Sequence, residues 1–252
     1  MTIEASAAAR SDAEAPLSAS QFALVCELVE SRAGLDFREA RRSLLESSLR
    51  ARMQQLDLDT LDAYVARLSG ADSAVEFDAL ISTLTITETQ FLRDPAQFAL
   101  LREHILPTLM AQRGATRDRR LRICSAGCSS GEEPYSLALS WREMDPAARH
   151  GWALEIVGID VNVQMLEVAR RRLYPARALR NLDAEVTGRY FTAGDCAFEI
   201  DAGLAAAVRF EHGSLLDEGT LGSERYDIIV CKNVSIYFSL EMTRRLVERL
   251  HT

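Results

Sequence analysis

The stretch ICSAGCSSGEEPYSLAL, residues 123–139, decides the fold, because it begins like a buried strand and ends like a helix. Two glycines and three small residues separate the two elements. A strand, a glycine-rich turn and a helix N-terminus form the usual cradle for phosphate groups. Two adjacent carboxylates, Glu132 and Glu133, open this helix and would repel a phosphate. The simplest interpretation is that both complement the helix dipole; the alternative is that one of them faces a cationic ligand.

Strand and helix signals alternate on both sides of this stretch. The strands are LRICSAG, LEIVGID, AVRFEHGSL and YDIIVCKN, and the helices are EEPYSLALSWREM, VQMLEVARRRL and LEMTRRLVERL. Such alternation with continuous apolar strands predicts a parallel α/β sheet with helices on both faces. The segment YFTAGDCAFEI breaks the alternation and predicts an antiparallel β insertion at about 189–207, turning at Gly194 and Asp195.

The first third of the chain has helical periodicity throughout. Residues 1–16 have the composition of a flexible tail, and 17–84 predict an all-helical domain ahead of an α/β domain over 85–252. The first helix has serine caps and closes at Gly34. The second opens with Asp36 and Glu39 in the spacing of a capping box. A further helix is predicted over 95–113.

Composition narrows the functional class. With 29 Lys+Arg against 37 Asp+Glu the net charge is −8, which disfavours a general nucleic-acid binder. The five scattered cysteines predict free thiols in a reducing cytoplasm. The histidines show no zinc spacing, so no metal site is expected. No apolar run approaches the ~18 residues of a membrane span, and no long apolar stripe is left over for a dimer, so we expect a cytoplasmic monomer without membrane insertion.

Ligands of open parallel sheets bind beyond the carboxyl ends of the strands. The first strand ends at Gly127, where small residues permit close backbone approach, and the second ends at Asp160, the position of a ribose-binding acid. An ordinary helix N-cap is the alternative for Asp160. The sequence has neither a Walker A motif nor a full dinucleotide fingerprint. A ligand with a ribose, a cationic centre and no phosphate is S-adenosylmethionine.

Four motifs in order resemble the CheR family of chemotaxis-receptor protein-glutamate O-methyltransferases: TITETQFLRD, SAGCSSGEEPYSLAL, GIDVNVQMLEVAR and YDIIVCKNVSIYF. The helical region with SRAGL and an arginine-rich second helix resembles the family's N-terminal domain. The resemblance implies a Rossmann-like methyltransferase fold, S-adenosylmethionine as cofactor with S-adenosylhomocysteine as product, and receptor glutamates as acceptors. Family members continue past the last helix with more strands, so it also implies a sheet with the fourth strand at its edge.

The resemblance implies a set of cofactor-binding residues, to which the turn glycine is added: Thr87, Thr89, Arg93, Gly127, Glu133, Asp160, Ser214, Leu215, Asn233 and Val234. It also implies catalytic roles for Arg93 and Tyr237 at the transfer site. A salt bridge to Asp94 is the alternative for Arg93, and core packing is the alternative for Tyr237. A glutamate is ionised at neutral pH, so no general base is required.

Docking and activity leave alternatives open. The arginines of the second helix, together with the β insertion, are candidate receptor contacts: Arg38, Arg41, Arg42 and Arg52. The alternative is solvated arginines whose stems cover the core. Thr87 and Ser214 stand where many family members have asparagine, Leu92 replaces a phenylalanine and Asn162 an aspartate. These departures favour a second hypothesis, a catalytically weak or inactive scaffold that binds S-adenosylmethionine or S-adenosylhomocysteine in a chemosensory pathway. Methylation of a small molecule is a third.

Overall fold

The computed structural model of the chain describes residues 16–37, 39–70, 73–85, 87–114, 118–217, 219–221 and 225–251. These residues form two compact units. The helical unit consists of the described residues within 1–86 and 235–252, and the sheet unit consists of those within 87–234. No helix in the described part of the chain is both long and apolar enough to cross a membrane.

The helical unit is built from short helices. In chain order they are α1 (Ala19–Ala33), a 3-10 turn (Glu39–Arg41), α2 (Arg42–Gln55), α3 (Leu61–Ser69), α4 (Ser73–Leu84) and, near the end of the chain, a 3-10 turn (Ser235–Tyr237) and a last helix (Leu240–His251). The predicted caps of α1 are confirmed: Ser18 and Gln21 form a capping box, and Gly34 ends the helix at φ 75°. The core includes Val29 and Leu45, both fully buried.

The predicted capping box of the second helix is wrong. A 3-10 turn precedes α2, and no described side chain caps Arg41 at its start. The backbone N–H of Asp36 donates to the carbonyl of Tyr237 at 2.8 Å. Arg38 lies outside the described residues.

The helices of the sheet unit include α-helical, 3-10 and π-helical segments. They are α5 (Pro95–Leu100), a π-helical segment (Leu101–Ile105), α6 (Leu106–Arg113), α7 (Glu132–Arg142), α8 (Val163–Arg171), a 3-10 turn (Ala176–Leu179), α9 (Ala184–Tyr190) and α10 (Ala202–Ala205). The helix predicted over 95–113 therefore contains a π segment. Pro107 explains the irregularity, because proline lacks the N–H that a regular helix needs there.

Two sheets lie in this unit. In chain order the strands are β1 (Arg120–Ala126), β2 (Ala153–Asp160), β3 (Leu173–Tyr174), β4 (Phe191–Ala193), β5 (Phe198–Ile200), β6 (Val208–His212) and β7 (Ile228–Val230). The large sheet has the order β6-β2-β1-β7 and all its pairs are parallel, which confirms the predicted α/β fold. Among the described residues β7 is an edge strand, also as predicted.

The small sheet confirms the antiparallel insertion and enlarges it. Strands β4 and β5 form the predicted hairpin, closed by a hydrogen bond from the N–H of Gly194 to the carbonyl of Ala197 at 2.8 Å. Strand β3 pairs with β5 and completes the order β3-β5-β4. The sequence did not predict β3, because two residues at the end of a helix carry no alternation.

Candidate functional site

The site lies where the order of the large sheet reverses. From β1 the chain proceeds to β2 and β6 on one side, and then to β7 on the other side of β1. Ligands of such sheets bind beyond the carboxyl ends of the strands at this switch point. Gly127, which follows β1, and Val234, which follows β7, meet there. A Cβ atom on Gly127 would stand 2.3 Å from Cγ2 of Val234.

The turn between β1 and α7 requires its glycines. Gly127 and Gly131 have φ angles of +79° and +89°, in the left-handed region that disfavours side chains. The N–H groups of Gly127 and Cys128 both donate to the carbonyl of Ile159, at 2.8 and 3.0 Å, and so tie the turn to the end of β2. Ser129 is left-handed too, at φ 49°. The turn is a fixed, narrow cradle.

Asp160, at the end of β2, holds this turn with its carboxylate. Oδ2 accepts the N–H of Ser129 at 2.7 Å, and Oδ1 accepts the N–H of Asn162 at 2.8 Å. Burial raises the pKa of Asp160, although these backbone donors oppose the shift. The backbone N–H of Val161 also acts on this carboxylate. An ionised carboxylate has about four acceptor positions, so acceptor capacity remains for a ligand hydroxyl. Asn162, rather than Asp160, is the N-cap of α8, which removes the simple capping explanation.

The two glutamates have different environments. Glu132 is buried, accepts a hydrogen bond from the Ser130 hydroxyl at 2.6 Å and belongs to the turn itself. Glu133 is half-buried and accepts one from Ser125 at 2.7 Å. Burial raises the pKa of Glu133, while the charges of Lys232 and Arg93 lower it, so both cations lie near this carboxylate. Glu133 is therefore the glutamate available to a cationic ligand.

The segment TETQFLRD, residues 87–94, forms another wall of the site. Phe91 is fully buried, and the N–H of Leu92 donates to the Ser136 hydroxyl of α7 at 2.8 Å. Leu92 and Asp94 both have left-handed φ angles, of 47° and 65°. Arg93 donates to the carbonyl of Glu88 at 3.3 Å. The segment also contains Thr87 and Thr89, which are half-buried.

Lys232 is a residue of the site that the sequence interpretation missed. Its ammonium group, directly after β7, donates to the carbonyl of Arg93 at 2.6 Å and pairs with Asp94 at 2.8 Å. Asp94 thus pairs with Lys232, whereas the alternative considered for Arg93 was a salt bridge from Arg93 to Asp94. The available signal was that Lys232 is the only lysine in the chain and follows the fourth strand.

The remaining predicted residues fall at different places. Ser214 and Leu215 are buried just after β6, where the N–H of Gly213 donates to the carbonyl of Asp160 at 3.1 Å. Asn233 is exposed with φ 58°. Tyr237 belongs to the helical unit, where the Arg41 guanidinium lies 5.2 Å from its ring centre. A catalytic role for Tyr237 stays a prediction.

The residues present fit a nucleoside ligand that carries a positive charge. The Ser129 hydroxyl oxygen is buried and has no hydrogen-bond partner among the described residues, so it is available to a ligand in the cradle. Asp160 offers acceptors to ribose hydroxyls, and Glu133 offers a carboxylate to an ammonium or sulfonium group. Fold and site together define the class of S-adenosylmethionine-dependent methyltransferases.

Family comparison agrees with this class. Residues 87–252 match the SAM binding domain of CheR methyltransferase, and residues 20–85 match its all-alpha domain. The chain therefore belongs to the CheR methyltransferase family. The resemblance seen in the four sequence motifs is confirmed.

Named relatives cover most of the chain. It is 32% identical to chemotaxis protein methyltransferase 1 of Pseudomonas aeruginosa over 91% of this chain and 84% of that protein. It is 28% identical to a chemotaxis protein methyltransferase of Borreliella burgdorferi, over 92% and 82% of the two chains. A probable biofilm formation methyltransferase, WspC of Pseudomonas aeruginosa, is 33% identical over 88% of this chain, which spans only 51% of that protein.

Proposed function

We propose that this protein transfers a methyl group from S-adenosylmethionine to glutamate side chains of a chemoreceptor, forming glutamate methyl esters that tune receptor adaptation. The observation that carries the proposal is the turn after β1. The turn places the Glu133 carboxylate at the helix N-terminus, where a phosphate would otherwise bind, and Asp160 lies beside it at the position of a ribose-binding acid. The names of the relatives support the choice of a receptor as substrate.

In the proposed site each carboxylate has a separate task. Asp160 accepts two backbone N–H groups and would bind the ribose hydroxyls with its remaining acceptor positions. Glu133 would hold the charged methionine part, oriented by its bond from Ser125. Ser214 and Leu215 would line the adenine side, as the resemblance implies. When bound, S-adenosylmethionine supplies an electrophilic methyl group on a sulfonium.

The protein's part in the transfer is positioning. A receptor glutamate is ionised at neutral pH, so the chain needs no general base, and oriented binding alone supplies up to roughly 7–11 kcal/mol. Arg93 is the proposed partner of the attacking carboxylate, because a guanidinium matches a carboxylate in charge and geometry. Lys232 supports this role by fixing the backbone carbonyl of Arg93.

Receptor docking by the second helix is part of the proposal. Its arginines differ in how strongly they are already paired within the chain. Arg41 donates to the carbonyl of Ile236 at 2.8 Å, and Arg42 pairs with Glu39 and Glu46. Arg52 pairs with buried Glu76 at 2.7 Å, so an acidic partner would have to compete with that glutamate. The small sheet is the second proposed docking element.

We place the protein in the cytoplasm, as a monomer. All five cysteines are free thiols, which suits a reducing compartment. A receptor's cytoplasmic glutamates would be reached only from that side of the membrane.

The test is transfer of a tritiated methyl group from S-adenosylmethionine to membranes that carry a chemoreceptor. The proposal expects label on the receptor that mild base releases as methanol, which is the behaviour of an ester. A receptor whose methylated glutamates are changed to alanine is the control and stays unlabelled. Base-stable label, or label on another molecule, contradicts the proposed acceptor. No label from a chain that binds S-adenosylhomocysteine would instead support the inactive scaffold.

A further inference from the structure

The carbonyl of Ser130 lies just before helix α7 and receives no hydrogen bond from it. Gly131 is the N-cap of α7, and its carbonyl accepts the first helical bond, from the N–H of Tyr135 at 3.1 Å. Ser130 therefore lies outside the helical hydrogen-bond pattern, and Pro134, four residues later, has no N–H that could donate to it. Because Ser130 is buried, its carbonyl in the cofactor turn needs a donor from elsewhere in the fold.

Tyr174 of β3 supplies the missing donor. Its hydroxyl donates to the carbonyl of Ser130 at 2.6 Å, and its side chain is almost completely buried. Burial and the nearby charge of Glu132 raise the pKa of Tyr174, so the hydroxyl keeps its proton. Gly131 leaves room for this contact, since a Cβ atom there would stand 3.1 Å from the Tyr174 oxygen.

The ring of Tyr174 also contacts the other wall of the site. It meets Phe91 edge to face, with ring centres 4.9 Å apart, and Phe191 of β4 meets the same phenylalanine at 5.1 Å. Phe91 lies two residues before Arg93 and its N–H donates to the carbonyl of Ala178 at 3.0 Å. Strand β3 therefore supports both the turn and the 87–94 segment, and β4 supports the segment.

We propose that Tyr174 is a positioning residue that couples the small sheet to the cofactor site, so that cofactor binding and ordering of the small sheet strengthen each other. The inference rests on the proposed function, in which the turn binds an S-adenosyl ligand. Without the hydroxyl, the Ser130 carbonyl stays buried and unpaired, and the turn that presents the Ser129 N–H to Asp160 relaxes. Coupling between two sites is reciprocal, so a partner on the small sheet would in turn change cofactor affinity.

Tyr174→Phe tests this coupling, with Tyr135→Phe as the matched control. Tyr135 is also a buried tyrosine whose hydroxyl donates to a backbone carbonyl, that of Ala169 at 3.0 Å in α8. Calorimetric titration with S-adenosylhomocysteine compares the two variants. We expect Tyr174→Phe to bind about threefold to tenfold more weakly than wild type, the effect of one lost hydrogen bond, and Tyr135→Phe to bind as wild type does.

Hydrogen exchange adds a second measurement, the ligand-induced increase in amide protection of the small sheet, which a general loss of stability would not abolish. S-adenosylhomocysteine should increase protection of the amides in β3 and β5 of wild type and of Tyr135→Phe, and this increase should be absent in Tyr174→Phe. If Tyr174→Phe does not fold, the wild-type exchange decides, because an unprotected small sheet in the saturated protein overturns the coupling. If both variants weaken ligand binding equally, or if neither weakens it, the role of Tyr174 is overturned and the proposed function is not affected. A wild-type protein that binds no S-adenosylhomocysteine overturns the proposed function and this inference together.

Discussion

Replacing Asp160 by asparagine tests the ribose assignment most sharply. The substitution keeps the shape of the side chain and keeps Oδ1 as the acceptor for the Asn162 N–H, at 2.8 Å. It removes the charge, and it places an amide where Oδ2 now accepts the N–H of Ser129 at 2.7 Å. Hydrogen bonds to a charged group contribute about 1.5–3 kcal/mol each, and their neutral counterparts about half as much.

Two weakened ribose bonds thus correspond to about 1.5–3 kcal/mol of binding free energy, or a roughly 10- to 150-fold loss of affinity for S-adenosylhomocysteine. The free energy of unfolding should fall by about 1–3 kcal/mol, because the Ser129 N–H would face an amide N–H instead of an acceptor. Relief of the burial cost that raises the pKa of Asp160 offsets only part of this loss. Calorimetry measures the affinity, and urea unfolding measures the stability.

The matched control is Asp183→Asn. Asp183 accepts the N–H of Val186 at 2.7 Å as the N-cap of α9, outside the site, so its substitution should leave ligand affinity unchanged. An Asp160→Asn variant that binds within about threefold of wild type would refute the ribose role, since even one weakened charged bond should exceed that change.

Three further predictions concern the turn, the helical unit and pH. Gly127→Ala should destabilise the sheet unit by about 2 kcal/mol or more and abolish ligand binding, because its Cβ would meet Val234 at 2.3 Å; thermal unfolding and calorimetry test this, and a wild-type melting temperature contradicts it. Arg52→Met should cost about 3 kcal/mol in urea unfolding, because it leaves Glu76 buried without its ion partner. Burial raises the pKa of Glu76, but the hydrogen bonds from Arg52 and Tyr64, together with the charge of Arg52, outweigh burial and lower the pKa below its usual 4.5. The contribution of the Arg52–Glu76 pair is therefore present above that pH and is lost as the pH falls through the lowered value; a stability difference between variant and wild type that grows on acidification contradicts this sign. Burial raises the pKa of Glu133 above 4.5, so on acidification the ligand affinity should begin to fall at a higher pH than it would with an exposed glutamate. Glu133→Gln should remove this fall when affinity is measured by calorimetry from about pH 7 to about pH 4.5. A variant with the same pH profile as wild type contradicts the assignment of Glu133.

The large sheet could be predicted because its strands are continuous apolar runs separated by helical periods. The sequence also identified the turn, because glycine is the residue that most readily adopts left-handed angles and the glycines at 127 and 131 both adopt them. The sequence alone could not show which of Glu132 and Glu133 faces the ligand. Both lie in the first turn of α7, and only the packing of Ser130 and Ser125 separates their roles.

Other features escaped prediction because they depend on long-range contacts. Strand β3 is two residues long and exists through pairing with β5, 25 residues later. Lys232 was not predicted, because it pairs with Asp94, 138 positions earlier in the chain. The start of α2 departs from its local signal because Asp36 is bonded to Tyr237. In each case a tertiary contact overrides the local preference.

The central claim is that the turn after β1 binds an S-adenosyl ligand through its ammonium group and rejects phosphate. Calorimetric titration of the wild-type chain with S-adenosylhomocysteine, and separately with ADP, tests it most directly. The account predicts one S-adenosylhomocysteine per chain with micromolar affinity and no measurable heat of binding for ADP, because Glu133 repels a phosphate where it attracts an ammonium. Binding of ADP as tight as that of S-adenosylhomocysteine, or no binding of S-adenosylhomocysteine by the folded protein, would contradict it.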